Sequence, residues 1–175
     1  METYIALLRG INVSGQKRIL MADLRLLFES LGLVDVRTYI QSGNVLFKTS
    51  EGNGLAEKIA KAIEVKYGWK VLILVKTASE LVKIVEKCPF SDEKKQKSYF
   101  VLLDQPPSED RIRATQELSH QNEEFQITSN CVYIFYAEGA GKAKWGNNWF
   151  ERKLKVNATA RNYRTLRKLI EMTLV

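Results

Sequence analysis

The chain is 175 residues long, 45% hydrophobic, 10% aromatic and 27% charged, a composition that excludes disorder, collagen-like repeats and a small disulfide-stapled scaffold. A chain of this length buries roughly 70% of the surface its unfolded form exposes, enough for one large core or two small ones. With 27 Lys and Arg against 20 Asp and Glu the formal net charge is +7, and a basic excess favours anionic partners without naming one.

Tyr4 to Leu8 is a continuous apolar run, short enough for a strand buried on both faces. After the loop Gly10 to Gly15, residues Met21, Leu24, Leu27, Phe28 and Leu31 fall at helical spacing, and Gly32 supplies a stop signal. Val34, Val36, Thr38 and Ile40 then alternate with Asp35, Arg37, Tyr39 and Gln41, the pattern of a half-buried strand. Ser42-Gly43-Asn44 turns the chain into a partner strand, Val45 to Lys48. Leu55, Ile59, Ile63 and Tyr67 mark a second amphipathic helix ending at Gly68, and Trp69 to Val75 reads as a fourth strand. The order βαββαβ is the split arrangement of ferredoxin-like domains.

A second pass begins at Thr77-Ala78-Ser79-Glu80, a capping box opening a helix through Leu81, Ile84, Val85 and Cys88, with Pro89 as its end. Tyr99 to Leu103 is a strand and Ser108 to about Ser119 a helix. Glu124 to Ile127 starts a hairpin that Ser129-Asn130 turns into Cys131 to Tyr136. A polar, Gly-containing stretch to Asn148 and two helical segments close the chain.

An internal repeat is visible. Tyr4-Ile5-Ala6-Leu7-Leu8 matches Tyr99-Phe100-Val101-Leu102-Leu103, and Ile40-Gln41-Ser42-Gly43-Asn44-Val45 resembles Ile127-Thr128-Ser129-Asn130-Cys131-Val132. The expected fold class is therefore α+β, with two ferredoxin-like subdomains in tandem, packed together, with extra C-terminal helices. The expected boundaries are 1–76 and 77–175, and the repeat points to duplication of a βαββ unit. A four-stranded sheet with helices on one face leaves its other face open, yet the central strands are apolar on both sides. The other half of the chain, the C-terminal helices or a second subunit must cover it, so the chain is a monomer or a homodimer, with intramolecular cover the simpler solution.

The longest aliphatic run, Val71 to Val75, falls far short of the ~20 apolar residues of a membrane-spanning helix. No basic segment followed by a long apolar stretch marks a signal peptide at the N-terminus. Cys88 and Cys131 are the only cysteines and read as reduced core thiols, so the expected location is cytoplasmic. His120 is the only histidine and sits in a polar helix-end setting expected to be exposed, too isolated for a triad or a metal site. No metal and no cofactor is expected, and no close pair of acids suggests general acid–base chemistry.

Two Gly-rich strings invite a phosphate-loop reading and fail it. In Gly10 to Lys17 the residue Gln16 separates the second glycine from the lysine, and in Gly139-Ala140-Gly141-Lys142 the position of the first glycine is Tyr136 and Ala143 follows the lysine. The aromatic signature of an RNA-recognition motif is also missing from the central strands.

The C-terminal segment says more. From Lys142 to Lys168 nine Lys or Arg face the single acid Glu151. Tyr163, Leu166, Leu169 and Ile170 form an apolar helical face, with Arg161, Arg164 and Lys168 opposite. Thr159 reads as the N-cap, which would leave backbone N–H groups beside Arg161 at the positive helix end, where carboxylate or phosphate binds. The competing reading is a solvated basic face over a packed apolar one. Trp145, Trp149 and Tyr163 interleave with Lys144, Arg152 and Arg161, either as a stacking surface for nucleic acid or as anchors holding a C-terminal extension on the core.

Leu8-Arg9-Gly10-Ile11-Asn12-Val13, Thr38-Tyr39-Ile40-Gln41-Ser42-Gly43-Asn44-Val45, and Ala158-Thr159-Ala160-Arg161-Asn162 with Thr165 and Lys168-Leu169 resemble the bacterial domain of unknown function 1697 family. The resemblance spans nearly the whole chain. Ser14 stands where that family usually has a second adjacent glycine, and Tyr163 where it usually has tryptophan. The resemblance implies two ferredoxin-like α+β subdomains and no established activity. It draws attention to Arg9, Asn12, Ser42, Asn44, Thr159, Arg161 and Asn162, polar or basic residues at strand ends, turns and a helix start. The leading expectation is a small anionic ligand, a nucleotide or phosphorylated metabolite, neutralised by Arg9 and Arg161. Asn12, Asn44 and the 159–162 backbone would donate hydrogen bonds to it. A nucleic-acid-binding module using Lys144, Arg152, Arg161, Arg164 and Lys168 is the alternative, and a structural or assembly protein without a ligand is the third reading. No sequence feature decides catalysis.

Overall fold

In a computed structural model that describes residues 1–175, the apolar run near the N-terminus forms β1 (Glu2–Leu8) at the middle of a sheet. It is followed by α1 (Met21–Ser30), β2 (Val34–Thr38), β3 (Asn44–Thr49), α2 (Leu55–Tyr67) and β4 (Ile73–Thr77). The strand order is β2-β3-β1-β4 and every neighbouring pair is antiparallel. Strand alternation sends Ala6, Leu8, Val45 and Phe47 towards α1 and α2, where they pack with Leu24, Phe28, Ile59 and Ile63. Burying each large aliphatic or aromatic side chain there contributes about 1.5–3 kcal/mol before entropy is counted. Ile5, Leu7 and Leu46 point the other way and are also fully buried. The fourth strand begins at Ile73 rather than at Trp69, which instead stacks on Tyr67 past the end of α2 (ring centroids 5.3 Å).

The capping box expected at residue 77 opens α3 (Ala78–Glu86). The Glu80 N–H donates to Thr77 Oγ1 (3.2 Å), and the Thr77 N–H donates to Glu80 Oε2 (2.7 Å). Then come α4 (Asp92–Gln96), β5 (Ser98–Leu103), α5 (Glu109–Gln116), β6 (Glu123–Ile127), β7 (Cys131–Tyr136), α6 (Asn147–Leu154), β8 (Ala158–Asn162) and α7 (Tyr163–Met172). The second sheet has the order β6-β7-β5-β8, again antiparallel throughout. Val101, Leu103, Val132 and Ile134 pack against Phe150 and Leu154 of α6 and against Trp145. On the opposite face of this sheet the Tyr133 hydroxyl donates to the Ile84 carbonyl of α3 (2.7 Å), Phe90 meets Phe135 and Tyr163 stacks on Phe100.

The fold is therefore α+β, with the same ferredoxin-like βαββαβ order in both halves. By compactness the chain divides into Met1–Val82 with Leu169–Val175, and Lys83–Lys168. Equivalent strand ends are closed by equivalent bonds. Leu8 N–H donates to Gly43 O (2.8 Å) and Leu103 N–H to Asn130 O (3.0 Å), while Arg9 N–H donates to Leu72 O and Asp104 N–H to Asn157 O (both 2.9 Å). No helix is long and apolar enough to cross a membrane.

One element departs from the sequence pattern. Residues 158–162 read as the start of a helix, but they form β8, the last strand of the second sheet. Ala and Arg favour helix locally; here pairing with β5 over five residues, Tyr99↔Asn162 to Leu103↔Ala158, outweighs that preference.

The turn before β3 depends on glycine. Gly43 has φ +84°, and a Cβ there would lie 2.8 Å from Leu8 Cβ. Gly43→Ala should lower stability by about 2–4 kcal/mol, from left-handed strain plus a clash with a buried side chain, read as a lower urea midpoint.

Candidate ligand-binding site

In the first unit the family-like residues gather at one end of β1. The loop after β1 visits left-handed backbone at Gly10, Asn12, Ser14, Gly15 and Lys17, conformations that side chains adopt only when something holds them. Asn12 does the holding. Its Nδ2 donates to Ile19 O (3.0 Å) and Gln41 O (2.8 Å), and its Oδ1 accepts the Ile19 N–H (2.8 Å). The loop is thereby closed on itself and tied to the β2–β3 turn. Asn44 is fully buried, and its Nδ2 donates to Tyr39 O and to Ser42 Oγ, both at 3.0 Å. Each amide has two N–H donors, so both asparagines have committed theirs to the backbone and to Ser42. In this structure these amides shape the loops. Arg9 is half-buried at the mouth of this loop and Ser42 is exposed.

In the second unit the expected helix N-terminus is displaced. Thr159 is not an N-cap: it pairs with Leu102 inside β8, and Arg161 pairs with Phe100. The cap of α7 is Asn162, whose Oδ1 accepts the Thr165 N–H (2.8 Å). The 159–162 backbone is strand, not a cluster of free helix-end donors. Alternation turns Ala158 and Ala160 towards the α6 core, which sends Thr159 and Arg161 to the opposite face. There Arg161 is 8% exposed. Its Nη1 donates to Thr159 Oγ1 and to Ala160 O, each at 2.8 Å. Burial alone lowers its pKa to about 10, because removing water penalises the charged form. The matching strand position in the first unit is Lys76, which lies 3.8 Å from Glu80.

Of the seven residues, Arg9, Asn12, Ser42 and Asn44 thus belong to the first unit and Thr159, Arg161 and Asn162 to the second. The structure joins Asn12 to the turn carrying Ser42 and Asn44, and it joins Thr159 to Arg161.

The basic set divides too. Lys144, Arg152, Arg164 and Lys168 are exposed, as is Arg167, but Arg161 is buried and does not share their surface. Trp145 is buried in the core and stacks on Trp149 (4.8 Å), while Tyr163 stacks on Phe100 (6.0 Å). Trp145 and Tyr163 serve the core as anchors. Cys88 and Cys131 are buried, and burial pushes both thiols above their ordinary pKa, away from the reactive thiolate.

Sequence reasoning missed one residue. Glu123 opens β6 on the same inward face as Phe125 and Ile127, with its side chain only 3% exposed. An acid in phase with inward apolar residues was the legible signal. It lies beside His120, which is half-buried rather than exposed as its polar surroundings suggested.

The family model described as protein of unknown function, DUF1697, matches residues 1–133. The chain belongs to the DUF1697 family. The match runs from β1 into β7, so Thr159, Arg161 and Asn162 lie beyond the matched stretch. Among solved structures the chain is similar to the conserved bacterial protein SP0830 from Streptococcus pneumoniae, with 25% identity, a TM-score of 0.75 and coverage of 98% of each chain. No functionally curated protein matches it.

Because Asn12 carries three hydrogen bonds of the DUF1697 loop, Asn12→Ala should cost about 1–3 kcal/mol. Hydrogen exchange should show protection lost at Ile19 ahead of the rest of the first unit.

Proposed function

We propose that this DUF1697 protein binds a small anionic ligand, a nucleotide or phosphorylated metabolite, with the Arg161 guanidinium as its principal counter-charge. The observation that carries this reading is a buried arginine on a short edge strand, held by the Thr159 hydroxyl on the sheet face opposite α6. A guanidinium presents a planar fork of donors that suits phosphate and carboxylate oxygens. Thr159 and Asn162 are the polar residues beside Arg161 in the second unit, while Arg9 and Ser42 stand in the first unit, on the loops that Asn12 and Asn44 shape. No cofactor enters this reading, and we place the protein in the cytoplasm, where its two thiols stay reduced. The recurrence of topology and strand-end hydrogen bonds supports an internal duplication.

Thermal unfolding with ATP, pyrophosphate and a sugar phosphate tests the reading, since a ligand at a hundred times its Kd stabilises the native state by about 2.7 kcal/mol. At least one should raise the midpoint, and Arg161→Gln should abolish the shift. No shift from any of the three at millimolar concentration sinks the reading and leaves the assembly role.

A second reading rests on the exposed cations Lys144, Arg152, Arg164 and Lys168, a surface suited to nucleic-acid phosphates. It predicts binding to single-stranded RNA or duplex DNA that weakens steeply between low and moderate salt. Absence of binding even at low salt ends it.

A further inference from the structure

Glu123 is the one buried carboxylate of the second unit, and its two oxygens are treated unequally. Oε1 accepts the N–H groups of Lys144 (2.7 Å) and Trp145 (3.1 Å), tying the segment before α6 to β6. Oε2 is buried without a hydrogen bond, and the ring nitrogen Nδ1 of His120 stands 3.5 Å from it. The two residues border a cleft of about 500 Å³, whose walls include Lys94, Glu124, Phe125 and Phe135.

His120 Nδ1 has two choices. It can accept the Asn122 N–H, which lies at a long 3.3 Å, or it can carry the ring proton itself and give it to Glu123 Oε2. Asn122 is half-exposed, so water can satisfy its N–H. Oε2 is sealed from water and has no other donor, and a buried acceptor left unmade is the more costly outcome. This balance favours a proton on Nδ1, directed at Glu123 Oε2 3.5 Å away. Nε2 is left as a bare acceptor on a ring that lines the cleft and is braced edge-on by Trp145 (5.5 Å).

The cleft walls favour a cation opposite that acceptor. Glu123 and Glu124 outnumber the single ammonium of Lys94, in a chain that is basic overall. The Lys94 ammonium already lies 5.3 Å from the Phe135 ring centroid while pairing with Glu124, so this aromatic face accepts a positive charge. We propose that the cleft is a binding site for a small organic ammonium with an apolar body, with His120 Nε2 accepting its N–H and Glu123 acting as the positioning residue. The site is separate from Arg161 and does not depend on the anion-binding reading.

His120 is the only histidine, so the ¹⁵N spectrum of the histidine-labelled protein reports this one ring. In the neutral ring, Nδ1 should be protonated and Nε2 bare. Benzylammonium at millimolar concentration should move the Nε2 resonance saturably, while benzyl alcohol and benzoate at equal concentration should leave it in place. In E123Q the new amide can donate to Nδ1, so the tautomer should reverse to Nε2–H, and benzylammonium affinity should fall about tenfold or more, the loss of a charge-supported hydrogen bond. If E123Q does not fold, the wild-type spectrum still decides: an Nε2–H tautomer overturns the proposal. So does a wild-type Nε2 resonance that benzylammonium leaves unmoved or that benzoate moves equally.

Discussion

The architecture depends on two strands, β1 and β5, that carry apolar side chains to both of their faces. A strand with only one apolar face can leave the other to water, but Ile5 and Leu7 in β1, like Phe100 and Leu102 in β5, demand cover on the side away from the paired helices. In the second unit that cover includes Phe90, Tyr163 and the backbone of α3 at Ile84, seated through two aromatic contacts and the hydrogen bond from Tyr133. Once this face is closed, anything else standing on it is buried too. Arg161 is such a residue, and its place opposite Phe100 in the β5–β8 ladder removes its guanidinium from water.

The same constraint explains the family-like motifs. Strand β1 ends where the chain must leave a crowded sheet, and Gly43 passes so close to Leu8 that no side chain fits. The loop beyond it takes left-handed turns that Asn12 holds from inside, while Asn44 holds the neighbouring turn. These polar residues do the work that a backbone partner would do in regular structure. Their spacing in the sequence identifies a special place at the strand end. Whether such a side chain faces a ligand or its own loop depends on carbonyl groups as distant as that of Gln41, and spacing does not reveal those.

The last strand shows a different limit. Ala158 to Asn162 has a helix-like composition and runs directly into an amphipathic helix, so local preference and periodicity both favour extending that helix backwards. What decides against it is an open edge on β5, 55 residues earlier at the Leu103↔Ala158 pair, whose unpaired N–H and C=O groups need a partner. With the strand in place, the helix cap moves from Thr159 to Asn162 and the basic stripe loses Arg161 to the interior. Glu123 was missed for a related reason: its neighbour Glu124 is exposed, and only the strand's phase, shared with Phe125 and Ile127, separates the two acids.

Length, composition and periodicity by themselves determined two repeats of strand, helix and hairpin, the central strands buried on both faces, the capping box at Thr77 and the basic bias of the C-terminal segment. These are properties of neighbouring residues, and side chains three, four or two positions apart report them directly. Tertiary structure alone decided that residues 158–162 are a strand, that Asn12 and Asn44 turn their amides inward, that Arg161 is buried while Arg164 and Lys168 stay in water, and that Glu123 meets His120. Each of these depends on which distant backbone groups and side chains come to share a surface, and on the cost of leaving a buried polar group without a partner.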